Sequence, residues 1–323
     1  MRVIEVARFG GPEVLVPKEV PDPFPGLGEA IVDVAVADTL WLETMVRAGG
    51  GGAVFPVELP YVPGVGVAGT VSTVGGGGVD PQWIGRRVIV RTGHTGGYAA
   101  KAAVPAADLV PVPDAVDLYD AAAVIHDGAT ALALVDVVKI VAGDRVLVTA
   151  AGGGMGTLLV QLARASGATV VGAARGTAKL DRVRALGADV VVDYSEPDWV
   201  DKVWEATGGL DVVLDGAGGD YGRAAFDLVV EGGRFSAHGT PAGGFAVADA
   251  EVARARGITA TGIEAVQLRP ERFRAYLGRA LAEVAAGRIR PVVGQEFPLE
   301  RAADAHRAIE DRTAVGKTLL TVA

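Results

Sequence analysis

The chain has 323 residues, half of them hydrophobic and 21% charged, a globular composition with material for more than one core. Its formal net charge of −9 argues against a nucleic-acid backbone as the main partner, and the lack of cysteine excludes disulfides, thiolate metal sites and a Cys nucleophile. The opening MRVIEVARFGGPEVL carries early acidic residues and no long apolar run, and no later stretch approaches the roughly 20 apolar residues of a membrane span. A soluble cytoplasmic protein is expected, with neither nucleic acid nor membrane among its partners.

Residues 1–115 read as β-rich, because short Val/Ile/Ala runs such as AIVDVAVAD and RRVIVRT are separated by Pro and Gly punctuation. PGVGVAGTVSTVGGGG reads as a strand between glycine turns, and the GGGG runs at 49–52 and 75–78 read as surface loops. From about Asp120 strands and helices alternate. Arg145–Ala150 is an apolar strand ending in glycines, Thr157–Ser166 has helical spacing with Gly167 as its stop, and Thr169–Ala173 is the next strand. A helix at Ala178–Leu186 and strands at Asp189–Val192, Asp211–Asp215 and Arg234–His238 follow. This alternation implies a parallel, doubly wound α/β sheet. After about Gly262 come a long helix at Glu271–Ala286, an acidic-fronted helix at 300–311 and a last strand, KTLLTV. These last residues read as returning to the first domain. The expected division is 1–119 plus 264–323 around an inserted 120–263.

The sharpest local signal is VLVTAAGGGMGTLLVQLA, a strand that runs through glycines into a helix. Gly153 and Gly156 match the second and third glycines of GxGxxG, with Ala151 at the first. The amides of Gly154 and Met155 fall at the helix N-terminus, which favours an anion such as a pyrophosphate. In an NAD site the second strand ends in an acidic residue that holds the ribose 2′-hydroxyl. Here it ends at Ala174, followed by Arg175 and, one helical turn on, Lys179. Basic groups there attract a 2′-phosphate, which predicts NADPH. The alternative is that both are ordinary solvated charges.

AAGGGMG…QLARASGATVVGAARG…KL…LGADVVVDY resembles the cofactor domain of the zinc-free quinone oxidoreductases, the zeta-crystallin-like branch of the medium-chain dehydrogenases/reductases. FGGPEVL, PYVPGVGVAGTVSTVG, TGGYAA, DGATAL and the final GKTLLTV fall in the family's order, so the resemblance spans nearly the whole chain. It implies a Rossmann domain inserted in a β-rich, GroES-like catalytic domain. It also implies that Lys179 and Tyr194 contact the 2′-phosphate, with Arg175 in a variable loop just before, and that Ala217 and Gly218 pass the ribose. Gly239, Thr240 and Thr130 then lie near the nicotinamide, Gly316 and Lys317 line the cleft, and Leu40, Trp41 and Thr44 border the substrate. Arg47 matches the arginine of the family's RxG stretch.

The related zinc alcohol dehydrogenases use a Cys, a His–Glu pair and a further Cys or acidic ligand. The matching positions here are Leu40, Val65 and Gly66, the last near His126. None of the first three offers a donor, and His94, His126, His238 and His306 lack ligand spacing, so no metal is expected. Without a Lewis acid a conjugated acceptor is the easier substrate, because charge delocalises away from the carbon that receives hydride. The resemblance therefore implies NADPH-dependent reduction of a quinone or enone. Tyr61 and His126 are the candidate acids, and Tyr98 reads as a core aromatic. The absence of a polar residue at Leu40 makes the cleft more apolar than in many relatives. An enoyl reductase of secondary metabolism and a non-catalytic NADPH-binding sensor are the competing readings. ARARGITATGI, at Ala253–Ile263, is expected to be an edge strand that joins two copies as a homodimer.

Overall fold

The computed structural model describes residues 1–52 and 55–322. Its internal contacts divide it into two units: Met1–His126 with Pro270–Gly287 and Pro291–Ala323, and Asp127–Arg269 with Arg288–Arg290. Both divisions fall later in the chain than the expected 119/120 and 263/264. The α-helix at Leu118–Ala123 packs on strands Glu29–Asp38 and Gly66–Val74 of unit 1, and the turn Ile263–Val266 packs on the helix Asp127–Val138 of unit 2. Packing of short elements, invisible to composition, sets both boundaries.

Unit 1 begins with the antiparallel pair β1 (Arg2–Glu5) and β2 (Val16–Glu19). Next come β3 (Glu29–Asp38), the short helix α1 (Trp41–Arg47), β4 (Gly66–Val74), β5 (Arg87–Arg91), β6 (Lys101–Pro105), β7 (Val110–Pro111) and α2 (Leu118–Ala123). The strands follow from runs of β-branched residues whose buried side chains form one apolar core, including Val32, Val34, Val67, Val71, Val88 and Val90. Helix α1 was not foreseen. Its seven residues start where the Leu40 amide donates to the Glu43 carboxylate at 2.8 Å, a reciprocal bond that caps the helix from its third position.

Unit 2 holds α3 (Asp127–Val138), β8 (Arg145–Val148), α4 (Gly154–Ala165), β9 (Thr169–Ala174), α5 (Thr177–Ala185), β10 (Val190–Asp193), α6 (Trp199–Thr207), β11 (Leu210–Asp215), α7 (Gly219–Asp227), β12 (Val229–Ala237), α8 (Ala250–Ala255) and β13 (Thr259–Gly262). All its strands are parallel, in the order β10-β9-β8-β11-β12-β13. The chain winds one way from β8 and the other way from β11, so the carboxyl ends of these two strands form the switch point where such sheets bind ligands. β13 occupies the outer edge. Ala253–Ala255, expected as the start of an edge strand over Ala253–Ile263, instead end α8, which Asp249 caps by accepting from the amides of Glu251 and Val252.

The chain then returns to unit 1 as α9 (Pro270–Ala285), β14 (Val293–Pro298), α10 (Ala302–Glu310) and β15 (Lys317–Thr321). β15 pairs antiparallel with β3, and the sheet runs β14-β15-β3-β4-β5-β7 with β6 also on β3. The last strand therefore lies in the middle of the first domain's sheet. Among the described residues no helix is long and apolar enough to cross a membrane.

Candidate functional site

Unit 2 presents its loops at the switch point. After β8, Ala150 adopts φ 49°, and the turn leads to Gly153 as the cap of α4. The helix's first bond runs from Thr157 N to Gly153 O at 2.9 Å, which leaves the amides of Gly154, Met155 and Gly156 at the open end. A Cβ on Gly156 would lie 2.3 Å from Ala150 O, so only glycine lets the helix approach the strand this closely. A Cβ on Gly152 would strike the Lys179 side chain at 2.7 Å, so the Lys179 stem lies directly over the glycine turn.

Beside that turn, Arg175 Nη2 lies 3.4 Å from the Tyr221 hydroxyl, and the Tyr221 ring stacks on Tyr194 with centroids 4.6 Å apart. Asp193, which the sequence reading passed over, accepts from the Gly176 amide at 2.8 Å and from the Ser195 amide at 2.9 Å. Burial alone would raise its carboxyl. The bonds from Ser195 and Gly176 and the charge of Arg175 outweigh this and hold it below its usual range. Its negative charge is thus spent on shaping the basic loop. Arg175, Lys179 and Tyr194 therefore come together around the glycine turn, with Tyr221 as an unforeseen member.

Thr149 and Asp215 join the ends of β8 and β11. The Thr149 hydroxyl donates to Asp215 Oδ1 at 2.7 Å and accepts from the amides of Gly216 and Ala217, while Ala217 and Gly218 also donate to Asp215. Gly218, at φ 74°, has Gly244 O 2.1 Å and Gly239 O 2.5 Å from where a Cβ would sit. The loops carrying Ala217, Gly218, Gly239 and Thr240 are thus pressed together, and Thr130 lies on α3, which packs against α4. A free helix terminus, a glycine-lined turn and two basic side chains beside it fit NADPH.

Unit 1 contains a pocket of about 160 Å³. That is close to the roughly 150 Å³ of an apolar cavity known to admit benzene, so it has room for about one ring. Leu40, Leu42, Val46, Val57, Pro63 and Val65 give it apolar walls, and Glu43, Tyr61, Arg91, His94 and His126 also line it. Both residues expected as acids, Tyr61 and His126, are therefore brought to one cavity. Of the expected cleft residues only Leu40 lines it. Thr44 is buried with its hydroxyl on Trp41 O at 2.7 Å, and Trp41 Nε1 is buried without a partner, because the helix turns these two positions away.

Beneath the pocket lies a buried polar cluster. Asp38, at the end of β3, accepts from or pairs with His126 Nδ1 at 2.7 Å and has Lys317 Nζ at 2.5 Å. Burial would raise Asp38, but Lys317 first and His126 second overcome it, so this carboxyl stays below its usual range. Lys317, expected to line a cofactor cleft, thus has its ammonium in the interior, while Gly316 takes φ 72° with Val292 O only 2.1 Å from its missing Cβ. Glu43 has no cation of its own. Its Oε2 accepts from Leu40 N and from the Tyr98 hydroxyl at 3.0 Å, and Tyr98 in turn meets His306 Nε2 at 2.9 Å. Burial, and then the charge of Asp38, push the Glu43 carboxyl up to about 8. With Oε2 occupied by these two donors, Oε1 is left buried without a partner. The Tyr61 hydroxyl is also buried and unpartnered, and burial followed by the Glu43 charge raises it to about 12. Sequence reasoning missed Glu43. Its local signal was an acidic residue at the third position of α1, which reads as a helix cap and gives no hint of an acid.

Residues 186–320 match the zinc-binding dehydrogenase family, and residues 26–114 match the alcohol dehydrogenase GroES-like domain. The quinone oxidoreductase of Rattus norvegicus is 32% identical over 325 residues, which cover 99% of this chain and 97% of the rat protein. The chain belongs to the quinone oxidoreductase family, the zeta-crystallin-like branch of the medium-chain dehydrogenases/reductases. Another relative of this quinone oxidoreductase-family protein is the 2-haloacrylate reductase of a Burkholderia species, 32% identical over 98% of this chain and 97% of its own. The structure of Escherichia coli quinone oxidoreductase complexed with NADPH superposes with a TM-score of 0.90, at 28% identity, over 99% of this chain and all of the bacterial one.

The matched family's name raises the question of zinc, and the residues present do not fit a catalytic ion. Leu40 and Val65 carry no donor atom. A Cβ at Gly66 would already lie 2.9 Å from Ile125 Cγ2 and 3.0 Å from His126 Cε1, and His126 Nδ1 is engaged by Asp38. Among the described residues no three His, Asp or Glu side chains converge to hold a metal.

The neutral Glu43 has a measurable cost. The unfolded chain releases this proton near 4.5, whereas the native protein keeps it to about 8. The native state therefore binds more protons between those values and loses stability as pH rises through them. Glu43→Gln keeps the shape and the neutral head and escapes this loss. Urea denaturation should show the variant gaining on the wild type as pH rises from about 5 to about 9. A difference that stays constant over that range contradicts a neutral Glu43.

Proposed function

We propose that the protein is an NADPH-dependent reductase that transfers hydride to a quinone or another α,β-unsaturated carbonyl without zinc. The observation that carries this reading is Glu43, a buried carboxyl with an unpartnered oxygen that has no cation of its own and lines an apolar pocket with room for about one ring. Relatives named for quinone and for 2-haloacrylate reduction support a conjugated acceptor. The basic loop of unit 2 and the NADPH-bound relative support the choice of dinucleotide.

When bound, NADPH supplies the hydride. Addition at one end of the conjugated system breaks the carbon–carbon π bond and moves the electron pair toward the carbonyl oxygen. The products balance as the reduced acceptor and NADP⁺ once a proton is added. Glu43 Oε1 delivers that proton, and the Tyr61 hydroxyl donates a hydrogen bond to the oxygen where charge builds. His126, fixed by Asp38, closes the polar side of the pocket, and Leu40, Leu42 and Val46 exclude water from it. The Tyr98–His306 pair holds Oε2 in place so that Oε1 keeps one orientation.

Glu43→Gln retains the hydrogen-bonding shape but cannot release a proton. It should lower kcat by about 10²- to 10³-fold with little change in KM. Wild-type kcat should fall as pH rises through about 8, where the acid loses its proton in the field of Asp38, Lys317, His126, Arg47, Tyr61, Tyr98 and His306. The variant should lack that limb. Undiminished turnover in the variant with the same alkaline limb removes Glu43 from the chemistry.

For the cofactor, Arg175→Ala and Lys179→Ala should each weaken NADPH binding by roughly tenfold to a hundredfold, the scale of one charge-assisted hydrogen bond. NADH binding should change by no more than about twofold by the same calorimetric measurement. Equal losses for both dinucleotides would show that these side chains do not read the 2′-phosphate. The same reading includes a homodimer joined along the β13 edge. Light scattering at micromolar concentration should give the mass of two chains, and a monomer mass deletes that part.

A further inference from the structure

Arg91 is the one guanidinium or ammonium group among the described residues that line the unit 1 pocket. It ends β5, where it pairs with Gly66 on β4. Its guanidinium carbon lies over the Phe273 ring of α9, 4.5 Å from the centroid, and its Nε is buried without a partner. Among the described residues no carboxylate forms an ion pair with it. Asp108, whose charge reaches it, pairs instead with Arg274 at 3.6 Å. Other interior cations of this unit are matched: Lys317 has Asp38, and Arg47 has Glu310.

A half-buried cation with no counter-ion is costly to hold in an apolar wall. The cation–π contact with Phe273 offsets part of that, and the guanidinium keeps N–H donors for a planar anion. The rest of the pocket is compatible with such an anion. Its one acidic side chain among the described residues, Glu43, is pushed toward its neutral form by burial and by the charge of Asp38, which weakens the repulsion of a guest anion.

We propose that Arg91 is a carboxylate-binding residue and that the acceptor is a short α,β-unsaturated carboxylate, held by the guanidinium with its double bond toward Glu43. This rests on the reductase reading above and narrows its substrate class. The assignment also answers a chemical difficulty. An enoate already bears a negative charge, and hydride addition at its β-carbon pushes a second one onto the carboxylate. Pairing with Arg91 neutralises the first charge, and the proton that Glu43 Oε1 gives to the α-carbon removes the second. The products are the saturated carboxylate and NADP⁺, and Glu43 regains its proton from solvent.

The test compares crotonate with methyl crotonate, which share shape and double bond and differ in charge. In calorimetry on the NADPH-loaded wild type, crotonate should bind at least about tenfold tighter than its ester. Arg91→Met, which keeps the apolar stem on Phe273, should abolish that preference. NADPH affinity should stay within about threefold of wild type. The proposal is overturned if wild type binds acid and ester alike, or if Arg91→Met weakens both equally, or if the variant loses NADPH instead. Failure of the reductase reading itself looks different: the folded, NADPH-loaded wild type turns over no quinone, ester or acid, while the binding comparison still decides the role of Arg91.

Discussion

Two carboxyl groups are buried beneath one pocket, and only one of them has a cation. Asp38 and Glu43 both lie almost wholly out of solvent. Two negative charges cannot share that space, so one group must keep its proton. Lys317 and His126 decide which. They stand on Asp38, and Asp38 in turn raises Glu43. This asymmetry turns two similar side chains, five residues apart in sequence, into a fixed anion and a neutral acid. The rest of the unit serves it: β15 carries Lys317 into the middle of the sheet, and α10 brings His306 to the Tyr98 hydroxyl that occupies the other Glu43 oxygen.

The second unit works by a different economy, in which backbone rather than side chains does the recognition. The turn after β8 needs glycine where helix and strand meet, and the loops after β11 and β12 need it where their carbonyls crowd. Asp215 and Thr149 then pin the two strand ends by six hydrogen bonds that stay within the protein, while the first amides of α4 lie at its open end. The side chains enter only at the edge, where on the proposed reading Arg175 and Lys179 distinguish one dinucleotide from another.

How legible each part was follows from how local its cause is. The glycine turn, the basic loop and the alternating strands were readable because each is specified within about 20 consecutive residues. The parallel, doubly wound sheet and the return of KTLLTV to the first domain followed from the same pattern and from the family's order of motifs. Glu43 was not readable. Its behaviour depends on Asp38, Tyr98, His306 and Lys317, which meet only after the last strand pairs with β3. Arg91 looked like one more charge at a strand end, because nothing in RRVIVRT tells that Phe273 lies beneath it. ARARGITATGI misled in part for the opposite reason: its later residues do form the edge strand, but the cap from Asp249 lies just outside the segment and turns its first three residues into helix. Helix α3 gave no periodic signal because most of its circumference is buried.

The inventory of charge around the pocket also limits what chemistry suits it. The positions that hold zinc ligands in the related alcohol dehydrogenases carry Leu40, Val65 and Gly66, so a doubly charged ion has no donors there. Lys317 is already neutralised by Asp38. What remains to meet negative charge in a transition state is one mobile proton on Glu43, one hydroxyl on Tyr61 and, at the wall, Arg91. A simple ketone concentrates a full alkoxide charge on one atom beside the hydride acceptor, and that demands a strong local electrophile. A conjugated acceptor spreads the charge over several atoms, so a proton at one end and a fixed cation at the other can share it. On the proposed reading the pocket's weak acid and distant guanidinium are matched to that distribution, and Glu43→Gln and Arg91→Met remove its two ends separately.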